Sequence, residues 1–87
     1  MKRIVQYELI PIDNIQFINM PEGAEIISVI KGSGVLKLYA LVNPNMVLQP
    51  REFRVAGTGE ALIEGGSDFI GTVEINDEYW HVFEVKG

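Results

Sequence analysis

The sequence has no cysteine, one histidine, one tryptophan and only seven lysine and arginine residues among its 87 residues. Without cysteine the chain forms neither disulfides nor zinc–thiolate sites, and one histidine is fewer than the roughly three protein ligands of a catalytic zinc site. No apolar run approaches the ~20 residues of a membrane-spanning helix. The start, "MKRIVQYELIPID", is interrupted by Gln6, Glu8 and Pro11, unlike a signal peptide. These absences predict a cytoplasmic protein with no metal, cofactor or membrane partner.

Positive charge is scarce, since twelve acidic residues give a net charge of −5. This balance disfavours binding to duplex nucleic acid or to an anionic membrane. A small anion remains a possible ligand if subunit symmetry gathers the few cations around it. Residues 1–87 form a single domain, which buries only roughly 60–65% of its unfolded surface, so we expect a homo-oligomer to stabilise it.

The apolar pattern predicts strands almost throughout. Apolar and β-branched runs alternate with turn segments such as "MPEGA", "GSG", "NPN", "TGE", "EGGSD" and "ND". The predicted strands cover residues 3–10, 15–19, 25–31, 35–43, 51–57, 69–75 and 78–86. Seven short strands without helical periodicity predict an all-β fold, a small antiparallel β-sandwich or a jelly-roll-like barrel.

Alternation along the strands assigns side chains to faces. In the fourth strand, one face carries Leu36, Leu38, Ala40 and Val42. In the fifth, Arg51, Phe53 and Val55 share a face opposite Glu52, Arg54 and Ala56. In the last, Tyr79, His81, Phe83 and Val85 lie opposite Trp80, Val82, Glu84 and Lys86. Because both faces of several strands are apolar, we expect one face in the core and the other against a subunit or a ligand.

Catalytic parts are not recognisable in the sequence, which predicts that the protein is not an enzyme. His81 alternates with aromatic residues, so packing within the sheet is favoured over acid–base chemistry. Asp77 and Glu78 flank a turn and are read as solvated turn acids. The "GTG" and "GGS" stretches match neither the Walker motif nor the dinucleotide fingerprint, and turns explain both without a ligand.

The segment "PREFRVAGTGEAL" carries the most suggestive group of residues, Arg51, Phe53 and Arg54, followed by Thr58 in a glycine turn. Arginine forks suit phosphate, and successive N–H groups of a glycine turn can bind an anion. Aromatic rings, here Tyr39, Tyr79 and Trp80, can stack on nucleotide bases. The alternative is structural, with Glu52 and neighbouring carboxylates pairing with the arginines across strands. The residues alone favour this structural alternative.

Six stretches, "YELIP", "MPEGAEIISV", "LKLYALVNP", "REFRVAGTGEAL", "FIGTV" and "WHVFEV", follow one another along nearly the whole chain. Together they resemble a family of short proteins encoded by tailed bacteriophages and prophages. The chain looks like the anti-CBASS sponge class within such proteins. That class consists of oligomers, here resembling tetramers, which bind 3′,3′-cyclic GMP–AMP-type dinucleotides without cleaving them.

The resemblance implies a phage protein that sequesters a cyclic oligonucleotide signal in the cytoplasm of the infected bacterium and so blocks defence signalling. A ligand at a subunit interface would meet Arg51 and Arg54 through its phosphates or bases, with Thr58 close by. Its bases would stack on Phe53, Tyr39 or Trp80. The rival hypothesis is a non-enzymatic protein-interaction or virion-associated module that uses its second apolar face. An enzyme acting on the same signal through His81 is the least favoured reading.

Overall fold

The computed structural model describes residues 1–62 and 66–86. Its strands are β1 (Arg3–Leu9), β2 (Asn14–Pro21), β3 (Glu25–Lys31), β4 (Leu36–Val42), β5 (Leu48–Gly57), β6 (Ser67–Ile75) and β7 (Glu78–Val85). The predicted all-β fold and its seven strands are confirmed. Within the described ranges, no helix is long and apolar enough to cross a membrane.

The strands form two antiparallel sheets. The first sheet has the order β1-β4-β3 and the second the order β2-β5-β7-β6. Buried side chains from both sheets make one hydrophobic core between them, so the architecture is a β-sandwich. Each sheet therefore has an inner face on the core and an outer face, and the outer face of the second sheet bears on function.

Strand β4 shows why this sequence buries one face. Its inner side chains, at every second position, are fully or almost fully buried, while the intervening ones are half-buried. Ile26 and Val29 of β3 are half-buried and pack against the core. Its buried members are Leu9, Met20, Ala24, Leu36, Leu38, Ala40, Val42, Phe53, Val55, Val73, Ile75 and Val82. The side-chain alternation predicted for β4 is confirmed, and burial of these apolar groups is the main stabilising term.

Two predicted hairpins are confirmed with the backbone that their turn residues favour. Gly34, between β3 and β4, has a φ of 73°, which glycine adopts without strain. Asn76 and Asp77, between β6 and β7, have φ values of 51° and 66°. Positive φ at both central residues is the requirement of a type I′ turn, which Asn and Asp tolerate. The predicted "EGGSD" turn includes residues 64 and 65, which lie outside the described residues.

Strands β2 and β5 are longer than predicted. Strand β5 begins three residues early, at Leu48, and includes Pro50, which lies opposite Asn19 of β2. The missing N–H of proline is tolerated there because β7 pairs with β5 only from Glu52 onward, so Pro50 has one neighbouring strand.

Strands β3 and β6 approach closely where the two sheets meet. A side chain at Gly71 would place its Cβ 2.9 Å from the side chain of Val29, closer than atoms of this kind pack. Both strands are irregular here, with register shifts between Ile26 and Ser28 and between Phe69 and Gly71. Bulges bend a strand and change the direction of its side chains. The bulge in β6 lies beside the exposed ring of Phe69.

Candidate functional site

The outer face of the second sheet is unusually apolar for a surface. Register places Ile15 and Phe17 of β2 beside Arg54 and Glu52 of β5, and Phe83 and Val85 of β7 on the other side of β5. Phe69 of β6 lies opposite Phe83, and their ring centroids are 5.4 Å apart. Phe17 and Phe69 are 65% and 60% exposed. We call this surface, made by these seven residues, the outer face.

A groove of about 500 Å³ runs along the outer face. Its apolar lining comes from Ile15, Phe83 and Val85, together with Leu62 from the loop after β5. Its charged lining comes from Asp13, Glu52, Arg54 and Lys86. Such a groove, mostly apolar with a few charged groups, has the size and chemistry of a small-molecule site.

Arg54 lies in this groove and is held by three acceptors. Its guanidinium donates to the carboxylate of Asp13 at 2.7 Å, to the carbonyl oxygen of Val55 at 3.1 Å and to that of Ala61 at 3.3 Å. The bond to Ala61 ties the loop after β5 back onto the strand. Arg54 therefore has a fixed position beside the aromatic rings, but an incoming anion has to compete with Asp13.

Arg51 lies on the opposite face of the same strand. Its guanidinium makes a two-point ion pair with the carboxylate of Glu84 and donates to the carbonyl oxygen of Ala24 at 2.9 Å. The hydrogen bond to Glu84 raises the pKa of Arg51 above its ordinary value. Both partners are mostly buried, so Arg51 closes one side of the core.

The two arginines therefore do not form one site within a single chain. They are an odd number of positions apart on a strand, so the pleat sends them to opposite faces, as the alternation predicted. The structural alternative describes their contacts, with Glu84 and Asp13 as partners in place of Glu52. Of these two arginines, Arg54 lines the groove and Arg51 does not.

Phe53 was predicted to contact the ligand, and its burial corrects that prediction. Its side chain is 0% exposed and belongs to the hydrophobic core. A ring without an accessible face cannot stack on a base. The sequence grouped Phe53 with its arginine neighbours, but alternation places it with Val55 on the buried side.

Tyr39 and Trp80 are also separated from the groove. Tyr39 is on the outer side of β4 in the first sheet, where its hydroxyl bonds to the side chain of Gln6 at 3.1 Å. Trp80 is partly buried and packs against the core from the inner side of β7. The sandwich lies between Tyr39 and Arg54, so one chain cannot bring these two side chains to the same ligand.

Thr58 takes part in a hydrogen-bond network around His81 that the sequence did not reveal. The Nε2 atom of His81 is 2.8 Å from the Thr58 hydroxyl, and its Nδ1 atom is 2.9 Å from the Thr72 hydroxyl. Thr58 is in the turn after β5, and Thr72 is directly opposite His81 on β6. These hydrogen bonds connect that turn to the sheet. They give His81 a structural role within the sheet, which the sequence favoured over acid–base chemistry.

Replacing His81 with alanine should loosen the turn after β5. It removes two hydrogen bonds, each worth about 0.5–1.5 kcal/mol net. The amide of Glu60, which donates to the carbonyl of Gly57 at 3.2 Å, should exchange with solvent about tenfold faster, as a loss near 1.4 kcal/mol implies. Tyr79→Ala, on the same side of β7, is the control. Equal exchange in both variants would show that the network does not hold the turn.

Sequence reasoning missed the residues that line the groove from other strands. Phe83 and Val85 were assigned to one face, and the structure makes that face the outer one. Ile15 comes from β2 and Asp13 directly precedes that strand, whose pairing with β5 is not local in sequence. The only available signal was the second apolar face itself, which the alternation did show.

Comparison with known protein families finds a family model that covers the whole chain. The model of the family described as Domain of unknown function (DUF7352) matches residues 1–87, so the chain belongs to that family. No curated protein and no solved structure matches the chain. Function is therefore argued from the groove and its chemistry.

Proposed function

We propose that this DUF7352 protein acts by binding, without catalysis, and that the groove on its outer face receives a nucleotide ligand. The observation that carries the proposal is the position of Arg54 in an apolar groove of about 500 Å³ beside the ring of Phe83. Ligand pockets are typically 300–1,000 Å³, largely apolar, with few fixed polar groups. A charged fork and an aromatic ring suit phosphate and base respectively.

The proposed ligand is a cyclic dinucleotide of the 3′,3′-cyclic GMP–AMP type. The sequence resemblance to phage counter-defence sponges supports this choice, as does the absence of recognisable catalytic motifs. A sponge needs affinity and abundance only. The biological role would then be sequestration of a defence signal in the cytoplasm of an infected bacterium by a homo-oligomer, with a tetramer favoured by the resemblance.

The proposed ligand contacts lie in one part of the molecule, the groove and its surroundings. Arg54 takes the place of the predicted arginine pair, and Phe83 with Phe69 takes the place of Phe53, Tyr39 and Trp80. Thr58 borders this region through its bond to His81. Asp13 and Glu52 oppose an anion in the groove, so the affinity is expected to depend strongly on whether Arg54 can exchange its carboxylate partner for a phosphate.

Calorimetry against a panel of cyclic di- and trinucleotides tests the proposal. Arg54→Met should weaken binding at least about tenfold, in line with the 1.5–3 kcal/mol of a hydrogen bond to a charged group. Asp13→Asn should strengthen binding because it removes the competing charge while keeping the side-chain size. Tyr39→Ala, on the other sheet, should leave the affinity unchanged.

Two results would contradict the proposed ligand. One is no heat of binding at several hundred micromolar, corresponding to a free energy weaker than about −5 kcal/mol. The other is a binding curve that Arg54→Met leaves unaltered. Appearance of cleaved nucleotide, lost in His81→Ala, would instead support the rival enzyme.

The second candidate function is a protein-interaction or virion-associated module of a phage. The exposure of Phe17 and Phe69 favours it, because large apolar groups clustered on a surface mark interaction sites. Copurification with virions, abolished by Phe17→Glu without loss of folding, would favour this function over nucleotide binding.

A further inference from the structure

The nucleotide proposal does not explain why the outer face exposes two phenylalanine rings, Phe17 and Phe69. Phe17 and Phe69 stand on opposite sides of the groove, on β2 and β6, the two edge strands of the sheet. Both rings are mostly exposed in the single chain. A small ligand in the groove leaves part of this apolar surface in water.

We propose that two copies of the chain pack outer face to outer face about a two-fold axis, forming a four-layer β-sandwich. Sheets stack about 10 Å apart when their side chains interdigitate, and aromatic side chains fill such a gap. A two-fold axis parallel to the strands makes the contact self-complementary and places β2 of one copy over β6 of the other. Phe17 then approaches the partner's Phe69 on both sides of the axis.

The charges of the outer face permit this contact. The groove lining carries Asp13 and Glu52 against Arg54 and Lys86, so its local net charge is zero, whereas the whole chain carries −5. Two acidic copies can therefore approach through this surface with little repulsion.

The arrangement of these charges is also complementary to itself. Glu52 is on β5, toward the β2 side of the groove, and Lys86 follows β7, toward the β6 side. The two-fold axis that pairs β2 with β6 brings Glu52 of each copy toward Lys86 of the other. Opposite charges at the rim of an interface fix its register more than its affinity.

The size of the surface is sufficient for a dimer. Four strands about 4.8 Å apart and about eight residues long span roughly 19 by 26 Å, or about 500 Å² in projection. Two such faces bury about 1,000 Å² in total, which reaches the threshold of roughly 1,000 Å² for a specific interface. Among small domains, oligomerisation is a common way to supplement a limited core.

Sedimentation equilibrium of the full chain without nucleotide tests this dimer. The wild type should fit a monomer–dimer equilibrium with a Kd near 10 µM, about −7 kcal/mol. The double variant Phe17→Glu/Phe69→Glu should raise the Kd at least about 100-fold, because it buries four charges in the contact. The matched control is Ile4→Glu/Ile30→Glu, two exposed residues on the outer side of the other sheet, which should dimerise as the wild type does.

Exchanging two charges tests the register of the proposed interface. This test does not require the phenylalanine variants to fold. Lys86→Glu should weaken the dimer about tenfold, and Glu52→Lys added to it should restore the association. A wild type that stays monomeric to about 200 µM would overturn the proposal. Equal dissociation of the control double variant would also overturn it. A monomeric wild type would also remove the homo-oligomer from the proposed function, whereas calorimetry decides nucleotide binding separately.

Discussion

Phe53→Ala is expected to lower the free energy of unfolding by about 3–5 kcal/mol. Phe53 is fully buried at the centre of β5, between β2 and β7, and it packs among core residues from both sheets. Removing the ring loses its transfer free energy and leaves a cavity that a two-sheet core closes only in part. For a small domain, this loss approaches the whole stability, which is about 5–15 kcal/mol for native proteins.

Urea unfolding followed by tryptophan fluorescence measures the effect of this substitution through Trp80. Phe69→Ala is the matched control, the same substitution at a ring that is 60% exposed, and should cost less than about 1 kcal/mol. Phe53→Leu, expected to cost less than Phe53→Ala, supplies a value if the alanine variant does not fold. Equal losses at Phe53 and Phe69 would contradict the assignment of Phe53 to the core. A specific loss of nucleotide affinity in a stable Phe53→Leu variant would return Phe53 to the ligand site.

Arg51→Met is expected to cost about 2–4 kcal/mol of folding free energy. It leaves the carboxylate of Glu84, whose side chain is only 14% exposed, without its cationic partner, and it removes the bond to the Ala24 carbonyl. Breaking a buried ion pair by removing one partner typically costs about 3–5 kcal/mol. Arg51 itself is 22% exposed, and the remaining contact with water reduces that figure.

The exposed pair of Lys86 and Asp68 is the control for Arg51. Its side chains are 62% and 61% exposed, so Lys86→Met should cost less than about 1 kcal/mol. The double variant Arg51→Met/Glu84→Leu should recover much of the loss, because it removes both charges and leaves no unpaired carboxylate. A double variant as unstable as the sum of the two single variants would show that the two residues do not act as a pair.

Titration of Arg51 itself should not change the free energy of unfolding in the neutral range. The folded state raises its pKa above the value in the unfolded chain. A raised pKa of a cationic group gives stability that is complete below the unfolded pKa and is lost as the pH rises through the folded pKa. Because the ordinary arginine pKa is already strongly alkaline, this loss falls outside the neutral range.

Local sequence patterns were sufficient to predict the secondary structure. Period-two alternation identified β4, and Gly34, Asn76 and Asp77 identified the hairpins, because turn backbones and pleated strands restrict the residue types they accept. The alternation also separated Arg51 from Arg54. The ends of β2 and β5 were missed where these two strands pair around Pro50. Whether a strand accepts a proline depends on which neighbouring strand is present, and the local sequence does not show that.

The site could be predicted only in part because it depends on contacts between distant segments. The sequence identified Arg54 and a second apolar face. It could not show that Asp13 pairs with Arg54 or that Phe83 and Ile15 flank it, since the β2–β5 and β5–β7 pairings join segments far apart in the chain. Phe53 was misassigned because an aromatic beside two arginines fits both a ligand site and a core strand.

A nuclear magnetic resonance titration of the labelled protein with a cyclic dinucleotide tests binding at the outer face most directly. We predict amide shifts confined to β2, β5, β6, β7 and the turn holding Thr58, while the phosphorus spectrum of the ligand stays that of the intact molecule. Shifts centred on Tyr39 and the three-stranded sheet would contradict this account. The absence of shifts at about 1 mM ligand would also contradict it, because a Kd of about 1 mM corresponds to a binding free energy of only about −4.1 kcal/mol.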